Sequence, residues 1–157
     1  MRDGPSSTVL AGAHRWRCRV AAWLGVDLLA EQVPLTGGVL TVDATQDVPE
    51  RVTITVPERV AGVSWVPDRA DHPLAEYGQW LDVDIDVWSS VTASGPDVPP
   101  TATSPLGRYQ IQSWVHDRTA GVVTVEAVGL LQRVRDAGFR APMVPAPPRR
   151  WSASCGG

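Results

Sequence analysis

Residues 80–88, "WLDVDIDVW", decide the fold of this chain. Apolar and charged residues alternate strictly there, and an extended strand is the conformation that sends successive side chains to opposite faces. Leu81, Val83, Ile85 and Val87 then share one face, while Trp80, Asp82, Asp84, Asp86 and Trp88 share the other. The first set is the side of a strand turned to a core. The second lines up three carboxylates between two indoles, which calls for a catalytic or metal site, a sugar platform, or a wall facing water or another subunit.

Working outward, the same period of two recurs. "HRWRCRVAAW" puts Arg15, Arg17 and Arg19 on one face and Trp16, Cys18 and Val20 on the other, and "LGVD" turns it into "LLAEQV" as a hairpin. "VLTVDAT" and "RVTITVP" are two more β-branched strands, the second aiming Val52, Ile54 and Val56 at the core. "GRYQIQSWVH" and "GVVTVEAV" form a pair across "DRTAG". Between the strands, residues 57–79 read as a long ordered connection and residues 89–107 as a Ser, Pro and Gly rich loop, the segment expected to reach a neighbour. "GLLQRVRDAGF" predicts a short helix ended by Gly138. The expected fold is mainly β: an antiparallel barrel or sandwich of about seven strands with one short C-terminal helix. The expected organisation is a flexible arm over 1–13, one β domain over 14–142 and a Pro-rich tail over 143–157.

Composition narrows the function. With 157 residues the chain is long enough for one sizeable core. A net charge of −3 without a dense basic run gives no general attraction to nucleic acid. All 14 basic residues are Arg, and Asn is absent as well as Lys, the mark of GC-rich codons. Two cysteines, Cys18 and Cys155, make neither a disulfide framework nor a zinc site, and Cys18 reads as a small buried hydrophobe. No apolar run approaches the roughly 20 residues that cross a bilayer, and the start lacks a signal-like core, so synthesis and folding in a cytoplasm are expected.

Catalytic and metal chemistry need groups that converge. Asp82, Asp84 and Asp86 stand about 7 Å apart along a strand, and at that spacing two carboxylates in water repel by only roughly 0.6 kcal/mol. A solvated row is cheap and a buried one is not. The row also lacks the looped geometry of a calcium site. His14, His72 and His116 fall in no metal or protease pattern and read as surface or turn residues, and no nucleophile elbow or phosphate loop is present. No catalytic residue, metal or cofactor is therefore expected. Seven Trp against one Phe favours contact surfaces, but Trp80 and Trp88 lie about 27 Å apart along a strand, too far for one stacking platform. At least one of them is expected at an interface. The rows Arg15, Arg17, Arg19 and Asp82, Asp84, Asp86 are complementary, either across neighbouring strands or across a subunit boundary.

Read in order, "VAAWLGVDLLAEQVPLTGGVLTVDATQDVPERVTITVP", "WVPD", "HPLAEYGQWLDV" and "GRYQIQSWVHDRTAGVVTVEAVGLLQRVRDAGF" resemble an uncharacterised family of minor tail proteins from phages of high-GC Gram-positive bacteria. The resemblance covers about residues 14–142 and implies the tail-tube-like first domain of a baseplate hub, a β-barrel or sandwich with a flanking helix, assembled as a ring around the tail channel. It departs at Gly129, where such proteins often carry Asp, and at the C-terminus, where they usually continue into a second domain. What it implies is a structural component of the virion tail, made in the bacterial cytoplasm: a hub or tail-tip ring whose partners are its own copies and other tail proteins (tube, distal tail, baseplate). It implies no membrane contact, and DNA only in transit. Asp82, Asp84 and Asp86 would then be an acidic channel wall or face Arg15, Arg17 and Arg19 of a neighbour. The alternative from another class is a carbohydrate-binding β module of the tail tip that uses its Trp residues.

Overall fold

The computed structural model describes residues 14–46, 48–89 and 98–133. Nine strands follow in chain order: β1 (Arg15–Leu24), β2 (Asp27–Ala30), β3 (Gly37–Val42), β4 (Glu50–Pro57), β5 (Arg59–Val60), β6 (Val63–Ser64), β7 (Gln79–Trp88), β8 (Ala102–Asp117) and β9 (Val122–Gly129). Seven of them make one antiparallel sheet in the order β2-β1-β7-β8-β9-β4-β3, and β5 with β6 makes a two-stranded ribbon inside the long connection. The mainly β expectation holds. Closure into a barrel does not, because β2 and β3 are separate edges of the sheet.

The sheet folds over on itself. Val20 and Ala22 of β1 share one continuous core with Val52, Ile54 and Val56 of β4, although three strands separate β1 from β4 in the sheet order. β8 makes the fold possible. Its first half, Ala102 to Gln110, pairs with β7, and its second half, Tyr109 to Asp117, pairs with β9. One 16-residue strand thus belongs to both halves of a sandwich-like arrangement. The pairing slips at Leu106, an extra residue opposite the Val83/Asp84 step, and Gly107 there has φ 147°, a conformation that side chains rarely adopt. A bulge with glycine bends a strand and sharpens its twist. Pro105 is tolerated beside it because that part of β8 has a partner on one side only.

The predicted loop over 89–107 is therefore shorter than expected: residues 102–107 extend β8. Their Ser, Thr and Pro content masked a strand that lies at an edge, where Pro loses no ladder bond. Leu131 to Arg133 form one helical turn, Arg133 N–H donating to Leu130 O at 3.0 Å. The rest of the predicted helix with Gly138, the arm over 1–13 and the tail over 143–157 lie outside the described residues.

The 57–79 connection is ordered around His72. The ring is buried, accepts the Leu74 N–H at Nδ1 over 3.1 Å and meets Trp65 edge-on at 6.2 Å between centroids. Gln79 Nε2 donates to Ala70 O at 2.6 Å and to His72 O at 3.3 Å, tying the connection to the start of β7. The reading of His72 as a turn residue stands, but it is not at the surface. Burial is the main cause holding its pKa below the ordinary histidine value. An unfolded chain protonates it as pH falls through about 6.5, whereas the folded chain resists, so this contribution to stability is full above that pH and is lost on acidification. His72→Gln should accordingly flatten the fall in unfolding free energy between about pH 7 and 5 in urea titrations. An unchanged slope would refute the assignment.

Candidate functional site

Antiparallel pairing of β1 with β7 sets Arg15 opposite Trp88, Arg17 opposite Asp86, Arg19 opposite Asp84, Ala21 opposite Asp82 and Trp23 opposite Trp80. All are on the outer face, since the alternate residues Val20, Ala22, Leu81 and Val83 are in the core. The Arg and Asp rows thus meet across neighbouring strands of one chain. Arg19 Nη2 donates to Asp84 Oδ2 at 2.9 Å, and Arg19 Nε and Arg17 Nη2 approach Asp86 Oδ2 at 3.7 and 3.6 Å. Asp86 is the buried member, its side chain 4% exposed, and its Oδ1 accepts the Thr103 hydroxyl from β8 at 2.8 Å. Asp82 faces Ala21 and takes its cation from β8 instead, Arg108 Nε at 2.7 Å.

Every carboxylate of the row has an arginine within salt-bridge distance. An acidic wall is therefore not what this face presents; within the chain the anions are matched by cations. No pairing with a neighbour's arginines is needed to neutralise them.

The tryptophans are occupied as well. Trp88 is buried beneath the Arg17 guanidinium, 5.4 Å from its ring centroid, and its indole N–H donates to Val98 O at 3.0 Å. It packs rather than docks. Trp80 has Arg108 at 5.1 Å and Arg133 at 5.7 Å from its ring centroid, and Trp23 beside it on β1. Neither indole offers the open face that a sugar platform requires. Among the described tryptophans Trp16, 64% exposed on β1, has the most free surface, and the alternation of β1 had assigned it to a half-buried face because it lies in phase with Cys18 and Val20.

No family model, curated protein or solved structure matches this chain. What the site can do has to be read from its groups.

Among the described residues no set of three or more His, Cys, Asp or Glu side chains is placed to hold a metal ion. Cys18 is half-buried, and burial, aided by the charges of Asp84 and Asp86, pushes its thiol pKa up, which disfavours the nucleophilic thiolate. His116 Nε2 lies 3.2 Å from Glu58 Oε2, away from the Asp row. His14, at the chain start of β1, is exposed.

Three cavities among the described residues can receive something, and one of about 330 Å³ between Glu50, Arg108 and Leu130 lies farthest from the Arg17–Asp86 contact. A polar cavity of about 380 Å³ opens beside the ladder, lined by Arg17, Arg19, Asp86, Thr103 and the rim residues Glu31 and Gln32. On the inner side a mostly apolar cleft of about 570 Å³ lies between β1 and β3, with Trp16, Cys18, Leu40, Ile85 and Leu106 among its walls. Arg108 and Thr103 were missed from sequence because the bulge at Leu106 shifts the register of β8 against β7.

Asp86→Ala should cost about 2–3 kcal/mol, the scale of a lost charge-assisted hydrogen bond with its partners left unpaired. Asp84→Ala, on a more exposed carboxylate, should cost about 1 kcal/mol or less. Urea unfolding of both variants checks the order, and equal losses would contradict the burial argument.

Proposed function

We propose that this protein is a non-catalytic structural module that assembles through its sheet edges, and that the assembly is the ring at a phage tail tip or baseplate. One observation carries the assembly reading. β3 is a six-residue edge strand, "GGVLTV", with no charged residue and no proline, paired on one side to β4 and on the other to no strand among the described residues. Monomeric proteins blunt such edges with charge, proline or a cover, because an open row of N–H and C=O groups recruits another strand.

A second edge complements it. β2 pairs with β1 only at Ala22 to Leu24, and Val33 N–H adds one bond to Val20 O at 2.7 Å, so residues 16–19 keep a side without strand pairing among the described residues. Two different open edges on one molecule give a head-to-tail contact, and such a contact closes as a ring when its rotation permits. Trp16 and Val39, each 64% exposed, flank the cleft between the two edges and supply apolar surface to the joint. The phage assignment rests on the sequence resemblance, and its partners would be copies of this chain and the adjoining tail proteins.

Trp16→Lys and Val39→Lys both change exposed side chains, so each should leave the melting temperature nearly unchanged while lowering the oligomer mass found by sedimentation equilibrium. Mass spectrometry of purified virions tests the phage component. A wild-type chain that stays monomeric, alone and when mixed with tail proteins of its source, would defeat the reading.

A further inference from the structure

We propose that the polar cavity beside the arginine–aspartate ladder is a binding site for a neutral polyhydroxylated ligand, such as one sugar ring of a glycan. The cavity, about 380 Å³, falls within the roughly 300–1,000 Å³ of small-molecule sites. Its floor holds an incomplete contact. Asp86 is almost fully buried, and one of its oxygens is satisfied by Thr103 at 2.8 Å. The other, Oδ2, has its nearest cationic nitrogens at 3.6 and 3.7 Å, beyond hydrogen-bond reach. One of those nitrogens, Arg19 Nε, is itself buried with no hydrogen-bond acceptor, because Arg19 spends Nη2 on Asp84. Arg19 Nε thus lacks an acceptor, and the Asp86 carboxylate oxygen beside it lies 3.7 Å away, too far to serve as one.

The group that completes both at once donates to a carboxylate and accepts from a guanidinium. A hydroxyl does this, since it carries one O–H donor and two acceptor lone pairs. A carboxylate or phosphate could accept from Arg19 but would meet Asp86 and Glu31; an ammonium could donate to Asp86 but would meet Arg17 and Arg19. Two charges of each sign line the cavity, so an uncharged ligand is the one repelled by neither. Gln32 at the rim adds an amide able to serve as donor or acceptor for a second hydroxyl. The site differs from a tryptophan platform in kind: recognition is by bidentate hydrogen bonding, and no aromatic face takes part.

Titration of the isotope-labelled full chain with glucose, N-acetylglucosamine and glycerol, followed at the arginine Nε–H resonances, tests the proposal. Acetate and methylammonium serve as charged comparators. At least one sugar should move the Arg19 Nε–H signal saturably, and Asp86→Asn and Arg19→Lys should each weaken that binding about tenfold. Arg19→Lys preserves the charge beside Asp84 and safeguards the test should Asp86→Asn fail to fold. A shift caused by acetate or methylammonium but by no neutral probe would overturn the proposal, as would full-strength binding in either folded variant. Silence with every probe would overturn it too, and would mean that water alone fills the gap.

Discussion

The register between β1 and β7 is the constraint on which the rest of the molecule depends. Side chains alternate with a period of two, so a slip of one residue in either strand would exchange its faces. Here it would drive Arg17 and Arg19, or Asp84 and Asp86, toward the core and put Val20 and Ala22, or Leu81 and Val83, in water. Burying an ion that has lost its partner costs several kcal/mol, and exposing a buried Val or Leu forfeits about 1.5–3 kcal/mol more. Apolar and charged faces therefore specify one pairing together. The ion pairs add little net stability where they are exposed, and their role is to make the alternative registers poor.

From this pinned pair the sheet extends through β8, and β8 changes partners along its length. The bulge at Leu106 and Gly107 falls in the middle of the segment paired with β7, shortly before β9 joins at Tyr109 and Gln110, which pair on both sides. Bending there lets β4 and β9 come back over β1 and β7, so that a single sheet supplies both sides of its own core. The same bend leaves β1 and β3 as neighbours that do not pair, with an apolar cleft between them. Open edges and curvature thus have one origin.

Much of this was legible in the sequence. The alternation in residues 80–88 and 15–20, and the β-branched runs around Ile54 and Val125, identify strands because no other backbone conformation buries those sets on one side. The complementarity of the Arg and Asp rows was legible as well, although whether it acted within or between chains was not. Hidden features share a cause, which is that they depend on register and curvature. Arg108 meets Asp82, and Thr103 meets Asp86, through a strand whose first third is spelled with loop residues and whose pairing contains an extra residue. Trp88 keeps the outward phase predicted for it yet is buried, because Arg17 folds across its ring. His72 lies in a turn, as expected, but it is buried together with Leu74, Ala75 and Gln79.

Backbone direction in β1 ties the register to the open edge. Val33 N–H bonds to Val20 O, so the Val20 peptide groups point away from β7, and with a period of two those of Trp16 and Cys18 point the same way. Arg17 and Arg19 then direct their N–H groups at β7. Amide hydrogen exchange, read residue by residue at a concentration where the chain is monomeric, is the most direct measurement. Slow exchange is expected at Arg17 and Arg19 and fast exchange at Trp16 and Cys18. Uniform protection across residues 16–19, or the opposite alternation, would contradict it.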